Sequence, residues 1–174
     1  MEKIGIIYGP VKGNTEKVAL KVAKAIGEEI VEVLPVKNIT AEDIERFDKI
    51  IFGISTIGKD TWDLDHKNTD WDDFLPQLRK MDLSGKTIAM FGLGDNITYA
   101  TLFVNALEVL ATEVMNNGAE IIGQVGTDEY EFEDSKAVID GKFIGLPINE
   151  DHESHLTNER VAKWVSDIKP KFGF

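Results

Sequence analysis

The fold is decided by residues 4–16, which read Ile-Gly-Ile-Ile-Tyr-Gly-Pro-Val-Lys-Gly-Asn-Thr-Glu. An apolar run ends in a loop of small and polar residues, and a helical pattern follows with Val18, Val22 and Ile26 on one face. A strand, a short loop and a helix in this order direct backbone N–H groups and a helix N-terminus at one point, which favours an anion. We therefore predict a phosphate site at residues 10–15, called the first loop below.

The glycine spacing of the first loop excludes two common nucleotide motifs. The nucleoside-triphosphate loop has Gly, four residues and then Gly-Lys-Ser/Thr. Here only three residues separate Gly9 from Gly13, and Asn14 stands in the lysine position. The dinucleotide fingerprint G-x-G-x-x-G does not fit these glycines either. On this stretch alone, an ordinary strand-to-helix turn is the alternative to a phosphate site.

Composition limits the class of protein. The 174 residues are 43% apolar, which predicts one domain over residues 1–174 with a full core. No apolar run is long enough to span a membrane, and Glu2 and Lys3 lead into a strand without a signal peptide. The absence of Cys excludes disulfides and fits a cytoplasmic location. A net charge of −12 argues against nucleic acid and anionic membranes and suits basic partner proteins.

The rest of the chain alternates between strand and helix patterns. After the first strand, we predict strands over 29–36, 49–54, 87–92 and 119–125. Helical patterns cover 41–47, 71–81 and 100–116, and Thr157 is predicted to cap a last helix. This alternation predicts an α/β fold of three layers, a doubly wound parallel sheet between two layers of helices. Ligands of such sheets bind beyond the carboxyl ends of the strands.

Two loops carry a resemblance to the flavodoxins, a family of small electron carriers that bind FMN. The run Gly13-Asn14-Thr15-Glu16 resembles the end of their phosphate loop, although Pro10 and Lys12 replace the family's usual Ser or Thr. We expect the Lys12 charge to replace the two lost hydroxyl donors. Residues 11–15 keep their backbone N–H groups, whereas Pro10 has none. The resemblance implies that the FMN phosphate is held by Pro10, Val11, Lys12, Gly13, Asn14 and Thr15.

A second match lies at residues 92–99, called the third loop below. Its sequence Gly-Leu-Gly-Asp-Asn-Ile-Thr-Tyr resembles the family's Gly-x-Gly-Asp-x-x-x-Tyr segment. The resemblance implies that Tyr99 stacks on the isoalloxazine ring and that Leu93, Gly94 and Asp95 lie at the edge of the flavin. Stacking of two aromatic rings adds about 0.5–1.5 kcal/mol beyond the area that they bury.

The second loop, residues 55–70, departs most from the family. Many members have Thr-Trp after the strand, and this Trp covers the inner face of the flavin; here Thr56 is followed by Ile57. Either Ile57 packs on the ring, or the longer loop folds back to bring Trp62 there. The resemblance implies contacts to the flavin from Ser55, Thr56, Ile57, Gly58 and Trp62.

The resemblance implies a flavodoxin-like sheet of five parallel strands in the order 2-1-3-4-5. The polar stretch at 126–145 resembles the inserted loop of long-chain flavodoxins, which interrupts the last strand. In this order the three loops follow neighbouring strands and converge. The implied protein is a monomeric FMN electron carrier, not an enzyme, without catalytic residues or a metal. Its implied partners are basic redox proteins of the flavodoxin or ferredoxin reductase type, or oxidoreductases.

The acidic composition predicts a low reduction potential. A carboxylate about 10 Å from a flavin that gains a negative charge costs roughly 1.7 kcal/mol at an effective dielectric of 20. That energy corresponds to about 70 mV in a one-electron couple. Two alternatives to the carrier remain at this point: an FMN-dependent NAD(P)H or quinone oxidoreductase on the same fold, and a binding module that has lost FMN.

Overall fold

The apolar strands assemble into a parallel sheet. The computed structural model describes residues 2–56 and 69–174. The first five strands of the chain belong to the main sheet: β1 Ile4–Gly9, β2 Val31–Pro35, β3 Lys49–Ser55, β4 Thr87–Leu93 and β5 Glu120–Ile121. These strands are parallel and lie in the order β2-β1-β3-β4-β5, which confirms the predicted order.

The last strand is interrupted, as predicted. β5 pairs only with residues 87 and 88 of β4, and the strand predicted over 119–125 ends early because Gly123 turns the chain with a φ of 84°. The far end of β4 pairs instead with β9, Leu146–Ile148. Between these two pieces lies a small antiparallel sheet of β6 Val125–Gly126, β7 Val138–Ile139 and β8 Lys142–Phe143.

Helices cover both faces of the sheet because the strand side chains point alternately to the two sides. The helices are α1 Asn14–Ile26, α2 Ala41–Glu45, α3 Thr69–Leu78, α4 Ala106–Asn116 and α5 Ser154–Lys171. Ile6 and Tyr8 of β1 belong to the core under α1 and α5, whereas Ile7 belongs to the core under α3 and α4. No helix within the described residues is long and apolar enough to cross a membrane.

Two predicted helix starts are wrong. The pattern over 100–116 is helical only from Ala106, because Val104 has a φ of 48° and the chain before α4 forms turns. Thr157 does not cap the last helix, which begins at Ser154, and its hydroxyl donates instead to the Glu150 carboxylate. Periodicity marks a helical face but does not show where a neighbouring segment forces a turn.

A buried tryptophan sets the position of α3 against the sheet. The Trp71 side chain is fully buried, and its indole N–H donates to the Gly53 carbonyl of β3 at 2.9 Å. Its ring meets the Phe52 ring edge-on, with 5.2 Å between the centroids. These contacts place the first turn of α3, and therefore Asp70, beside the first loop.

Candidate functional site

The first and third loops leave the sheet at the same edge. Ile54 of β3 lies opposite Gly9 of β1 and Gly92 of β4, and Ser55 lies opposite Leu93. Because neighbouring strands are about 4.8 Å apart, the two loops begin on the order of 10 Å from each other across β3. The second loop starts between them, but the structure describes only its two ends.

Two carboxylates accept hydrogen bonds from the first loop. The N–H of Val11 donates to Asp70 Oδ2 at 3.3 Å, and the N–H of Lys12 donates to Glu16 Oε2 at 2.8 Å. The Lys12 backbone is left-handed, with a φ of 62°. This contact of Asp70 was missed from the sequence, because Val11 and Asp70 are 59 residues apart and share no local pattern.

The start of α1 offers a set of hydrogen-bond donors that have no acceptor within residues 2–56 and 69–174. Thr15 is only 2% exposed, and its hydroxyl has no partner among the described residues. The N–H groups of Gly13, Asn14 and Thr15 also lack an acceptor in the part of the chain that the structure describes. Unpaired N–H groups in the first turn of a helix carry partial positive charge. These donors therefore fit a phosphate group, with the buried Thr15 hydroxyl as the clearest sign of a missing acceptor.

Thr56 forms two hydrogen bonds to other residues of the protein. Its N–H donates to the Leu93 carbonyl at 2.9 Å, and its hydroxyl oxygen accepts the N–H of Ala106 at 3.2 Å. The Thr56 side chain therefore caps the start of α4 and ties the end of β3 to the third loop. Ser55 is buried beside Leu93. Flavin contacts of Ser55 and Thr56 stay predictions.

The remaining predicted contacts of the first two loops involve Pro10, Ile57, Gly58 and Trp62. Pro10 is exposed and offers no N–H, so it contributes shape rather than a hydrogen bond to the first loop. Ile57, Gly58 and Trp62 lie outside the described residues. Coverage of the inner flavin face by Ile57 or by Trp62 stays a prediction.

The third loop is a compact turn built around Asp95. Asp95 Oδ1 accepts the N–H groups of Ile97 and Thr98 at 2.9 and 3.0 Å, and its carbonyl accepts the N–H of Tyr99 at 3.0 Å. Gly94 is packed so closely that a Cβ there would lie 2.9 Å from the backbone nitrogen of Val104. The Tyr99 side chain is 45% exposed, so its ring has a free face for a ligand.

Two residues after β9 hold the third loop and were missed from the sequence. Asn149 is fully buried and donates to Asp95 Oδ1 at 3.3 Å, and His152 Nε2 lies 3.3 Å from Asp95 Oδ2. A signal was present, because only three residues separate Asn149 from the polar stretch that was predicted to interrupt the last strand, and strand ends gather at one edge of a parallel sheet.

The Asp95 carboxylate is held in its charged form. Burial by itself raises the pKa of Asp95, but hydrogen bonds from Thr98 and Ile97 and the nearby His152 outweigh burial and leave the pKa below its ordinary value. A depressed pKa means that the carboxylate stabilises the folded state at pH values above about 3.9, the ordinary pKa of Asp. This contribution is lost as the pH falls through the lower pKa of the folded protein.

We therefore expect Asp95→Asn to destabilise the protein near neutral pH and to have less effect in acid. Charge-assisted bonds are stronger than neutral ones, so the free energy of unfolding should fall by about 1–2 kcal/mol at pH 7. Urea unfolding measured from pH 7 down to about pH 3 should show this difference shrinking below about pH 4. Asp73→Asn, which removes an exposed charge on α3, is the control. A difference for Asp95→Asn that stays constant over the whole pH range would contradict this assignment.

The fold and the loops define a doubly wound α/β protein with a phosphate-type donor set and an exposed aromatic ring at one edge of its sheet. Within the described residues, no group of His, Asp or Glu side chains is arranged to hold a metal ion. The sequence matches the family model described as flavodoxin over residues 6–164. The chain belongs to the flavodoxin family, as the sequence resemblance predicted.

Several flavodoxins of similar length are similar in sequence to this chain. It is 41% identical to a flavodoxin of Picosynechococcus sp. over 174 residues, covering 99% of each chain. It is 42% identical to a flavodoxin of Helicobacter pylori over 172 residues, again covering 99% of each. Its fold is similar to the crystal structure of Fusobacterium nucleatum flavodoxin bound to flavin mononucleotide, with a TM-score of 0.87, 26% identity and coverage of 98% of this chain and 99% of that one.

Proposed function

We propose that this chain binds FMN and carries single electrons at low potential between redox proteins. The observation that carries the proposal is the buried Thr15 hydroxyl beside the N–H groups of Gly13, Asn14 and Thr15, none of which has a partner among the described residues, in a chain of the flavodoxin family. When bound, FMN supplies the one-electron chemistry, and the protein residues bind, orient and shield it. The matched relatives are named flavodoxins, which supports a carrier over an NAD(P)H or quinone oxidoreductase.

The residues divide the binding of FMN between them. Gly13, Asn14 and Thr15 face the phosphate with their N–H groups, and Thr15 adds its hydroxyl. Lys12 adds a positive charge from an exposed position, since its own N–H is bonded to Glu16. Tyr99 stacks on the ring, and the backbone of Gly94 and Asp95 lines its polar edge.

The proposed partner is a basic redox protein that docks on the edge carrying the third loop. The inserted segment supports this, because Asn96 donates to the Glu131 carbonyl at 2.7 Å and the Glu133 N–H donates to the Ala100 carbonyl at 2.8 Å. The side chains of Glu131 and Glu133 are exposed beside that loop. Together with the net charge of −12, they favour a basic surface on the partner. We further propose that the protein is a cytoplasmic monomer.

The proposal is tested by absorption spectroscopy of the purified protein with FMN during stepwise anaerobic reduction. We expect near-stoichiometric flavin bands and uptake of one electron at a time. Two-electron uptake and turnover with NADPH alone would support the oxidoreductase instead. No bound flavin at saturating FMN would mean that the changes at Pro10, Lys12 and Ile57 have abolished the site.

Lys12→Ala tests the charge contribution of the first loop. We expect the affinity for FMN to fall by about threefold to tenfold and the affinity for riboflavin to stay within about twofold, because only FMN carries the phosphate. Flavin fluorescence quenching gives both dissociation constants. Lys24→Ala, which removes the same charge from the last turn of α1, is the control. Equal losses for FMN and riboflavin would refute a phosphate contact of Lys12.

A further inference from the structure

We infer that Asn149, assisted by His152, is a positioning residue that holds the third loop in its flavin-binding conformation. The inference rests on the proposed function, since it concerns how the same site is built. Both residues lie in the turn between β9 and α5, at the edge where the first and third loops begin.

Asn149 uses both ends of its buried side-chain amide. Its Nδ2 donates to Asn96 Oδ1 at 2.8 Å and to Asp95 Oδ1 at 3.3 Å. Its Oδ1 accepts the N–H groups of Asp151 and His152, both at 3.0 Å. One fully buried amide therefore joins the third loop to the turn after β9.

The two oxygens of Asp95 are held from the same turn. Asn149 contacts Oδ1, and His152 Nε2 lies 3.3 Å from Oδ2. The Thr98 hydroxyl also lies 3.3 Å from His152 Nε2. The backbone carbonyl of Asp95 accepts the N–H of Tyr99. A shift of Asp95 therefore moves the start of the segment that carries the stacking ring.

The contacts continue to the inserted segment. Asn96 is 3% exposed, accepts from Asn149 and donates to the Glu131 carbonyl at 2.7 Å. The third loop is therefore fixed on one side by the turn after β9 and on the other by the insertion. Both anchors are hydrogen bonds of side-chain amides, one buried and one partly buried, and losing one partner of the buried bond leaves the other unsatisfied.

An amide is the group that this position requires. Its NH₂ faces two oxygens, those of Asp95 and Asn96, while its oxygen faces two N–H groups. Asn149→Asp keeps the size and the acceptor but turns the donor into an oxygen facing Asp95. The substitution therefore repels Asp95 without opening a cavity.

The test measures FMN and riboflavin affinities and the midpoint potentials of Asn149→Asp and His152→Ala. For Asn149→Asp we expect both flavins to bind about tenfold or more weakly by the same factor, because the third loop contacts the ring and not the phosphate. His152 has an exposed side chain, so His152→Ala should fold normally and weaken both flavins by about twofold to fivefold. The midpoint of the first reduction step should shift in both variants, because the loop lines the polar edge whose hydrogen bonding changes on reduction.

The control is Asn117→Asp. Like Asn149, Asn117 donates a hydrogen bond from its side-chain amide, in this case to the backbone carbonyl of Leu78 at 2.6 Å, but it lies after α4, away from the third loop. This variant should lose stability while keeping riboflavin affinity and potentials. Wild-type riboflavin affinity and potentials in folded Asn149→Asp, or in His152→Ala if Asn149→Asp does not fold, would overturn the inference. A wild-type protein that binds neither flavin would overturn the proposed function itself, and the two failures are thereby distinguished.

Discussion

Tyr99→Ala is expected to weaken FMN binding by about tenfold or more and to shift the midpoint of the first reduction step. The exposed ring stands at the end of the third loop, and its removal takes away both a stacking partner and the apolar area that the partner would bury. Riboflavin should lose affinity by the same factor, since the ring does not contact the phosphate. Fluorescence quenching and a spectroscopic reductive titration give the two quantities.

Tyr99→Phe is the matched variant, because it keeps the ring and removes only the hydroxyl. It should bind FMN within about twofold of the wild-type protein. Since the Tyr99 side chain is already 45% exposed, neither substitution opens a cavity, so the free energy of unfolding without flavin should change little. Unchanged potentials and affinity in Tyr99→Ala would refute the stacking role.

Gly145→Ala is expected to destabilise the fold by about 3 kcal/mol. A Cβ on Gly145 would lie 2.3 Å from the carbonyl oxygen of Met90, which belongs to the backbone of a central strand and cannot move aside. The chain returns to the sheet at this point, so β9 would be pushed away from β4. Urea unfolding measures the loss, and flavin affinity should fall with it, because Asn149 follows β9.

Gly126→Ala provides the control for that substitution. Gly126 also lies in the interrupted part of the chain, but no atom lies within 4 Å of a Cβ there. Its substitution should change the free energy of unfolding by less than about 0.5 kcal/mol. Equal stability of Gly145→Ala and Gly126→Ala would show that β9 does not need close contact with β4.

Local patterns predicted the elements but not all of their limits. The apolar runs of β1, β3 and β4 were recognised because both faces of a central parallel strand are buried. The helix predicted from residue 100 was wrong in its first turns, where the third loop packs against the insertion and Val104 takes a left-handed conformation. A helical face was visible in the sequence there, but the constraint came from residues more than 30 positions away.

Some residues of the candidate site were likewise predictable from the sequence, and others were not. Thr15 and Tyr99 stand in short motifs, so their neighbours in sequence indicate their roles. Asp70, Asn149 and His152 act through residues that are 53 or more positions away, and no motif includes both partners. They are recognised only when the ends of the strands have been placed side by side.

The sequence by itself determined the strand–loop–helix unit, the alternation that produces a parallel sheet and the family, because these depend on periodicity and short-range chemistry. Tertiary structure decided which side chains meet at the carboxyl edge of the sheet. Strand order and register bring Val11 to Asp70 and Asp95 to Asn149, and these contacts depend on how distant segments pack. A buried amide such as Asn149 has a defined role only when its donors and acceptors are in place, because an unpaired polar group in the core destabilises the fold.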